Sequence, residues 1–184
     1  MKQDLLASLR AAVVALLAFT VLTGILYPLV VTGIGQVAFS HQASGASELI
    51  GQTFTHPGYL WGRPSAVSYN AMTSSGTNLG MSPALHDAVA VRVKTLQDAD
   101  PGNTTPIPVD LVTASASGLD PHVSPAAAYY QVGRIAKARG LSPDDVRTVI
   151  LGHTTARTLG FLGEPRVNVV AVNRALDART GPPR

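Results

Sequence analysis

The sequence contains no cysteine, which excludes disulfide staples, thiolate nucleophiles and thiolate metal sites. Aromatic residues make up 5% of the chain, with a single tryptophan. Fourteen Lys and Arg against eleven Asp and Glu leave a net charge of only +3. The arginines between Arg134 and Arg179 are spread along helical and strand segments rather than gathered with stacking residues, so a nucleic-acid interface is excluded. The only lysines are Lys2, Lys94 and Lys137, and none follows a glycine. The chain therefore lacks a G-x-x-x-x-G-K-[ST] phosphate loop; it also lacks the Asp-Lys-Thr-Gly phosphorylation motif of ion pumps, and independent ATP hydrolysis has no support. His41, His56, His86, His122 and His153 show no metal-ligand spacing. No G-x-S-x-G nucleophile elbow occurs either.

One further absence is the most informative. No Asp, Glu, Lys or Arg occurs in residues 11–47, and the first two dozen of these are almost continuously apolar. Twenty-four helical residues reach about 36 Å, enough to cross a hydrocarbon core of about 30 Å. The length exceeds the apolar core of a cleaved signal peptide, whose processing site would fall at Ala38, Phe39 and Ser40. Lys2 and Arg10 precede the run, and no Lys or Arg follows it until Arg63. This asymmetry predicts residues 1–10 in the cytoplasm, a transmembrane helix over 11–38, and a soluble domain over 39–184 on the outer face of the membrane.

Within the span, Pro28 lacks an amide hydrogen and presses on the carbonyl of Gly24, which predicts a bend. Thr20 and Gly24, like Ala11 and Ala15, place small residues four apart on one face, the spacing that lets helix backbones approach closely. The span holds no acidic or basic side chain, so this helix by itself offers no ion path.

The soluble domain divides by composition. Residues 41–81 are rich in Gly, Ser, Thr and Pro, with one strand expected at 49–54. Such a long irregular stretch is mobile or held against something, and a partner surface would account for the apolar Tyr59, Leu60 and Trp61. Three Ser-Pro pairs follow, at Ser82, Ser124 and Ser142, each reading as an N-cap with proline in the first helical position. Leu85, Val89, Val93 and Leu96 form the first stripe. Ala128, Val132, Ile135 and Ala136 form the second, closed by Gly140, and Val146, Val149 and Ile150 form the third. Strands are expected at 109–113 and 167–173. The fold class is therefore α+β: one N-terminal transmembrane helix followed by a single mixed α/β extracytoplasmic domain.

Two stretches carry candidate site residues: GYLWGRPS from Gly58 and PVDLVTASASGLDPHVSP from Pro108. Asp120 precedes a proline and a capped helix and is placed to accept backbone N–H bonds. Asp110, alternating with apolar neighbours, is expected to face solvent or a partner. Arg63 is expected to pair with a carboxylate of this chain or another, and Trp61 to make a partner or structural contact. On these residues alone, a membrane-anchored hydrolase and a ligand-binding module stay open beside an accessory role.

The motifs YPLVVTGIGQVAF, LIGQTF, WGRPSA, YN at Tyr69, SGTNLG, PVDLVTASASGLDPHVSPAAAYYQVGRIAKARGL and LGEPRVNVVAVNRALD cover almost the whole chain. In them the sequence resembles the KdpC family of the bacterial high-affinity potassium-transporting ATPase. The resemblance implies an accessory member of a plasma-membrane complex. Its partners would be a potassium-binding channel-like subunit, a P-type ATPase subunit and a small accessory membrane subunit, all within the lipid bilayer. It also implies a catalytic chaperone that raises the ATPase subunit's affinity for ATP, with no tightly bound cofactor and with ATP shared between subunits. The glutamine assigned to that contact follows an AAA segment and corresponds to Gln131; the plain alternative is a glutamine on a helix surface. Two departures from the family pattern stand out. The linker before LIGQ is shortened to HQASGASE, and Ser75 replaces a glycine where positive φ would be restricted.

Overall fold

The computed structural model describes residues 2–39 and 47–183. The expected linker around His41, and Ser40 of the alternative processing site, lie outside the described residues. The chain divides into two compact units, Met1–Ser47 and Glu48–Arg184.

The first unit is helical. Helix α1 (Lys2–Val21) runs into a five-residue π turn (Leu22–Leu26) and then helix α2 (Tyr27–Ala38). The stretch Leu5–Ala38 is long and apolar enough to cross a membrane, and no side chain of its most apolar window is buried within the protein. The π turn sits immediately ahead of Pro28. The Tyr27 amide reaches back five residues to Leu22 O, so the widened turn accommodates the proline ring and the missing donor. The hydroxyls of Thr20 and Thr23 donate to Leu16 O and Phe19 O, both at 2.7 Å. Those carbonyls lie next to the disturbed ladder, where apolar surroundings make every unpaired group costly.

The second unit contains helix α3 (Pro83–Ala99), a 3₁₀ turn (Val109–Leu111), strand β1 (His122–Val123), helices α4 (Pro125–Tyr130), α5 (Val132–Arg139) and α6 (Pro143–Gly152), strands β2 (Thr154–Thr155) and β3 (Arg166–Asn168), and helix α7 (Val169–Thr180). The strands form one antiparallel sheet of order β1-β3-β2. Val123 faces Val167 on one side of it, and Thr154 faces Val167 on the other.

All three Ser-Pro signals begin helices. Ser82, Ser124 and Ser142 accept from the amides of Leu85, Ala127 and Asp145 at 3.3, 3.1 and 3.1 Å. Helix α5 stops at Gly140, whose φ of 66° closes the turn. Leu96, Ala127, Ala128, Ile135, Val146, Ile150, Val172 and Leu176 meet in a single core. The second expected helix is two, because the chain pauses at Gln131 (φ −91°, ψ −4°) between α4 and α5.

The strand expectations need correction. Residues 49–54 form no strand; the Gly51 amide donates to Leu119 O at 2.9 Å, and a Cβ at Gly51 would collide with the Tyr69 ring, so this segment is packed by close approach rather than by a ladder. Residues 109–113 form no strand either: Val109–Leu111 coil into the 3₁₀ turn, with the Asp110 carboxylate on Ser124, as described below. Of residues 167–173, only the first two are in a strand. Asn168 accepts from the Ala171 amide at 3.0 Å and so caps α7, whose valines are buried as helix residues. Burial overrides their strand propensity. Ser75 is not among the residues with positive φ, so the loss of glycine there imposes no backbone strain.

Candidate functional site

The loop-rich segment around Trp61 is fixed by two buried side-chain amides. Leu60 is fully buried. Its N–H donates to Asn173 Oδ1 at 2.7 Å, and Asn173 Nδ2 donates back to Leu60 O at 2.9 Å. At the next residue Gln131 repeats the pattern from the other side: Trp61 N–H donates to Gln131 Oε1 at 2.9 Å, and Gln131 Nε2 donates to Trp61 O and Ala127 O, both at 3.1 Å. A planar amide presents a donor and an acceptor at the spacing of a peptide group, so the pair substitutes for the two neighbouring strands that this segment lacks. Gln131, which is 1% exposed, is therefore not a helix-surface glutamine, and both of its amide protons are already bonded.

Two arginines close the same segment. Arg134, 4% exposed, donates to Pro57 O and Gln131 Oε1, both at 2.5 Å, and stacks over the Trp61 ring at 4.0 Å. Burial lowers its pKa to about 10, partly opposed by the Asp100 charge. Arg139 donates to Gly58 O at 2.6 Å and Gly181 O at 2.9 Å, pairs with Asp177 at 2.7 Å, and lies over Tyr59 at 5.0 Å. The apolar character of Tyr59, Leu60 and Trp61 is thus accounted for by this domain's own helices α4, α5 and α7.

The other candidates converge on a groove of about 680 Å³ lined by Arg63, Asp110, Asp120, His122, Glu164 and Arg166, among others. Arg63 finds its carboxylate within the chain: Nη1 lies 3.6 Å from Asp120 Oδ2, and Nη2 donates to Ala114 O at 3.3 Å. Asp120 accepts the His122 N–H at 3.0 Å, as its place before Pro121 predicts. Asp110 lines the groove and also makes a structural contact. Its carboxylate accepts the Ser124 N–H at 2.7 Å and the Ser124 hydroxyl at 3.2 Å, at the start of α4, where negative charge suits the helix dipole. The Ser124 hydroxyl is thus committed to a cap rather than poised as a nucleophile.

On the far side of Arg63, a cavity of about 390 Å³ is lined by Phe54, Trp61, Tyr69, Arg92 and Leu111, among others. The Tyr69 hydroxyl donates to Arg63 O, and burial, followed by the Asp120 charge, raises its pKa to about 12. The unfolded phenol ionises near its ordinary value of 10.0. Between these two values the unfolded chain holds fewer protons, so this group's contribution to stability is complete below pH 10 and is lost as pH rises towards 12. Tyr69→Phe should therefore lie below the parent in thermal midpoint at pH 9, for want of the hydrogen bond, and the gap should narrow by pH 11.5. A gap that stays constant across this range would refute the assignment.

Among the described residues no group of three metal-ligating side chains converges. The arrangement is suited to docking: a rigid platform under Trp61 beside a groove of alternating charge. Thr20, Gly24 and Pro28 lie in the apolar helical unit around the π turn, apart from these features in sequence. Sequence reasoning passed over Asn173, Arg134, Arg139 and Tyr69. The first three are polar residues on otherwise apolar helices, and all four lie within motifs that carry the family resemblance, Tyr69 in the YN pair.

Comparison with known proteins gives one answer. The family model described as KdpC, K+-transporting ATPase, c chain, matches residues 9–178. A potassium-transporting ATPase KdpC subunit of Ralstonia nicotianae is 56% identical over 182 residues, covering 91% of this chain and 89% of that protein. The subunit of the same name from Herpetosiphon aurantiacus is 56% identical, covering 91% and 94%, and that from Methylococcus capsulatus is 53% identical, covering 92% and 96%.

Proposed function

The chain belongs to the KdpC family, an accessory rather than catalytic subunit of the K+-transporting ATPase, and on that footing we propose that it is a singly anchored assembly subunit whose folded domain docks on the outer side of the pump. Its partners are the potassium-binding channel-like subunit, the P-type ATPase subunit and a small accessory membrane subunit. The apolar helix anchors it in the bacterial plasma membrane beside them, with Thr20, Gly24 and the π turn ahead of Pro28 offering the face for close helix packing. The outward orientation is supported by the charge asymmetry of the flanks, with Lys2 and Arg10 on one side and no Lys or Arg on the other until Arg63.

The observation that carries the reading is the double amide clamp. A domain that commits two buried amides and two arginines to holding one loop segment in place is built to present a fixed surface, and the charged groove of Arg63, Asp110 and Asp120 is the surface so presented. Influence on the ATPase subunit's affinity for ATP then passes through contacts between the proteins rather than through a bond from Gln131 to nucleotide. The burial of Gln131 and its complete set of hydrogen bonds support this route.

The absence of native cysteine makes the test direct. With Lys137→Cys, exposed on α5, an impermeant maleimide should label the chain in intact cells. Deletion of the gene should abolish growth when potassium is scarce, and mild detergent should release the chain only with its partners. Labelling only after lysis would overturn the orientation. Growth without the gene, together with release as a free monomer, would overturn the assembly role.

A further inference from the structure

The π turn leaves one backbone acceptor without a donor. In a helix the carbonyl of Thr23 is bonded by the amide four residues on or, where the turn widens, five residues on. The first of these, the Tyr27 N–H, donates to Leu22 O. The second belongs to Pro28, which has no N–H. Side chains do not repair the gap: among the described residues the nearby hydroxyls, of Thr20 and Thr23, donate to Leu16 O and Phe19 O, both at 2.7 Å. Gly24 adds no side chain to shelter the open carbonyl, and nothing lies within 4 Å of the place its Cβ would occupy. Thr23 is exposed and stands close to the middle of the apolar stretch Leu5–Ala38. The acceptor therefore opens at the depth where water is scarcest and an unpaired polar group costs most.

From this carbonyl we infer a docking point for one transmembrane helix of a partner subunit, which sets a neutral side-chain donor, a hydroxyl or a carboxamide, against Thr23 O near the bilayer midplane. Three properties of the site select that occupant. An open acceptor requires a donor, which lipid tails lack and which Ser, Thr, Asn and Gln side chains supply across packed transmembrane helices. The donor is neutral, because an ammonium or guanidinium at this depth would leave water for a single acceptor. It comes from a different chain: a second copy packed in register would bring Thr20 and Thr23 to this level, and both hydroxyls are already spent on their own backbone. A lone carbonyl cannot replace the hydration shell of a cation, so the position is a protein contact and not an ion site. The inference rests on the reading of the chain as a singly anchored pump subunit and deepens it. Pro28 creates the acceptor that fixes the register of the neighbouring helix.

The chain has no cysteine, so a synthetic N-terminal segment with an isotope-labelled Thr23 carbonyl can be ligated at Ala43 and the ligation cysteine desulfurised to alanine, which returns the native sequence. The infrared band of that carbonyl is read in the chain alone, dilute in lipid vesicles, and in the pump assembled from all its subunits. It should lie at the position of an unbonded carbonyl in the chain alone and move to lower frequency on assembly. Pro28→Ala supplies the missing amide, so its band should already be low in the chain alone. The partner's donor is then stranded, and the share of partner subunits retained in mild detergent should fall about three- to tenfold, the range of one interhelical hydrogen bond. A parent chain that retains its partners yet keeps an unbonded band overturns the docking point and leaves the assembly role intact. A band already low in the dilute parent chain, closed by its own helix or by a second copy, overturns it too, as does undiminished retention by Pro28→Ala. A parent chain that retains no partners refutes the assembly role, and this inference with it.

Discussion

Asn173→Ala should destabilise the folded domain by roughly 2–5 kcal/mol, a large fraction of the stability of an ordinary domain. The reason is that two groups lose their partners together. Leu60 is fully buried, so neither its N–H, 2.7 Å from Asn173 Oδ1, nor its C=O, 2.9 Å from Asn173 Nδ2, has water to turn to. Each orphaned backbone group costs about 1–3 kcal/mol. Urea unfolding of the full chain in detergent reads this directly, because the only tryptophan, Trp61, is the next residue along and lies beneath Arg134. With a slope of about 1–3 kcal/mol per molar urea, the midpoint should fall by roughly 1–3 M. Asn173→Asp is the informative companion: it retains an acceptor for the Leu60 N–H but cannot donate to the carbonyl, and it brings a charge into the core. It should be no better than alanine. A midpoint change worth less than about 0.5 kcal/mol, the range of neutral surface substitutions, would mean that the segment around Leu60 opens to water.

The clamp also marks the boundary of what the sequence makes legible. Signals written within a few residues are read correctly: the Ser-Pro caps at 82, 124 and 142, the Gly140 stop, and the Asp120 turn all depend on partners no more than four positions away. The apolar run of residues 11–38 is equally plain, because a hydrocarbon interior demands length and lack of charge together. Pairings across long separations are not written locally. Gln131 meets Trp61 seventy positions away in sequence, and Asn173 meets Leu60 across 113. Nothing in residues 58–63 distinguishes a segment paired to side-chain amides from one paired to strands or to another protein.

Where local signals mislead, a distant partner is the cause. The alternation in residues 109–113 suggests a strand facing solvent through Asp110, but the carboxylate is drawn to the Ser124 amide, and the backbone coils to deliver it. The valines that continue past Asn168 suggest a longer strand. Their burial on helix α7, begun by the Asn168 cap, outweighs a propensity difference of about 1 kcal/mol or less per residue. Of the candidate site residues, Arg63 and Asp120 meet each other, and Trp61 and Gln131 meet each other. The first meeting joins the two stretches that stood out in the sequence, and the second ties the first of them to the turn between α4 and α5, although the sequence did not say which residue would find which.

Gln131→Ala should be as damaging as the loss of Asn173, at roughly 3–5 kcal/mol, because it strands a charge as well as backbone groups. Trp61 N–H loses its acceptor, while Trp61 O and Ala127 O lose a donor. Arg134, 4% exposed, loses one of its two carbonyl-type acceptors and keeps only Pro57 O beside the Trp61 ring. Adding Arg134→Met to Gln131→Ala removes the stranded charge, so the double variant should be less destabilised than the sum of the two single ones, and this coupling is the signature of the contact. The pH dependence has a definite sign. Burial brings the Arg134 guanidinium down to about 10 in the folded domain, well below its ordinary value, so between the two the unfolded chain holds more protons and this residue's contribution makes stability rise with pH. In Gln131→Ala the charged form has one acceptor fewer, the folded value drops further, and the rise should begin at lower pH. The same variant decides between a clamp and a nucleotide ligand. If Gln131 is a clamp, its loss shifts the urea midpoint monitored by Trp61, and at temperatures where the domain stays folded the pump's KM for ATP is unchanged. If Gln131 bonds ATP, the KM rises while the midpoint stays in place. Four hydrogen bonds already occupy the amide, so a nucleotide would have to displace Trp61 or Arg134 to reach it, and the domain could not yield either without opening its core.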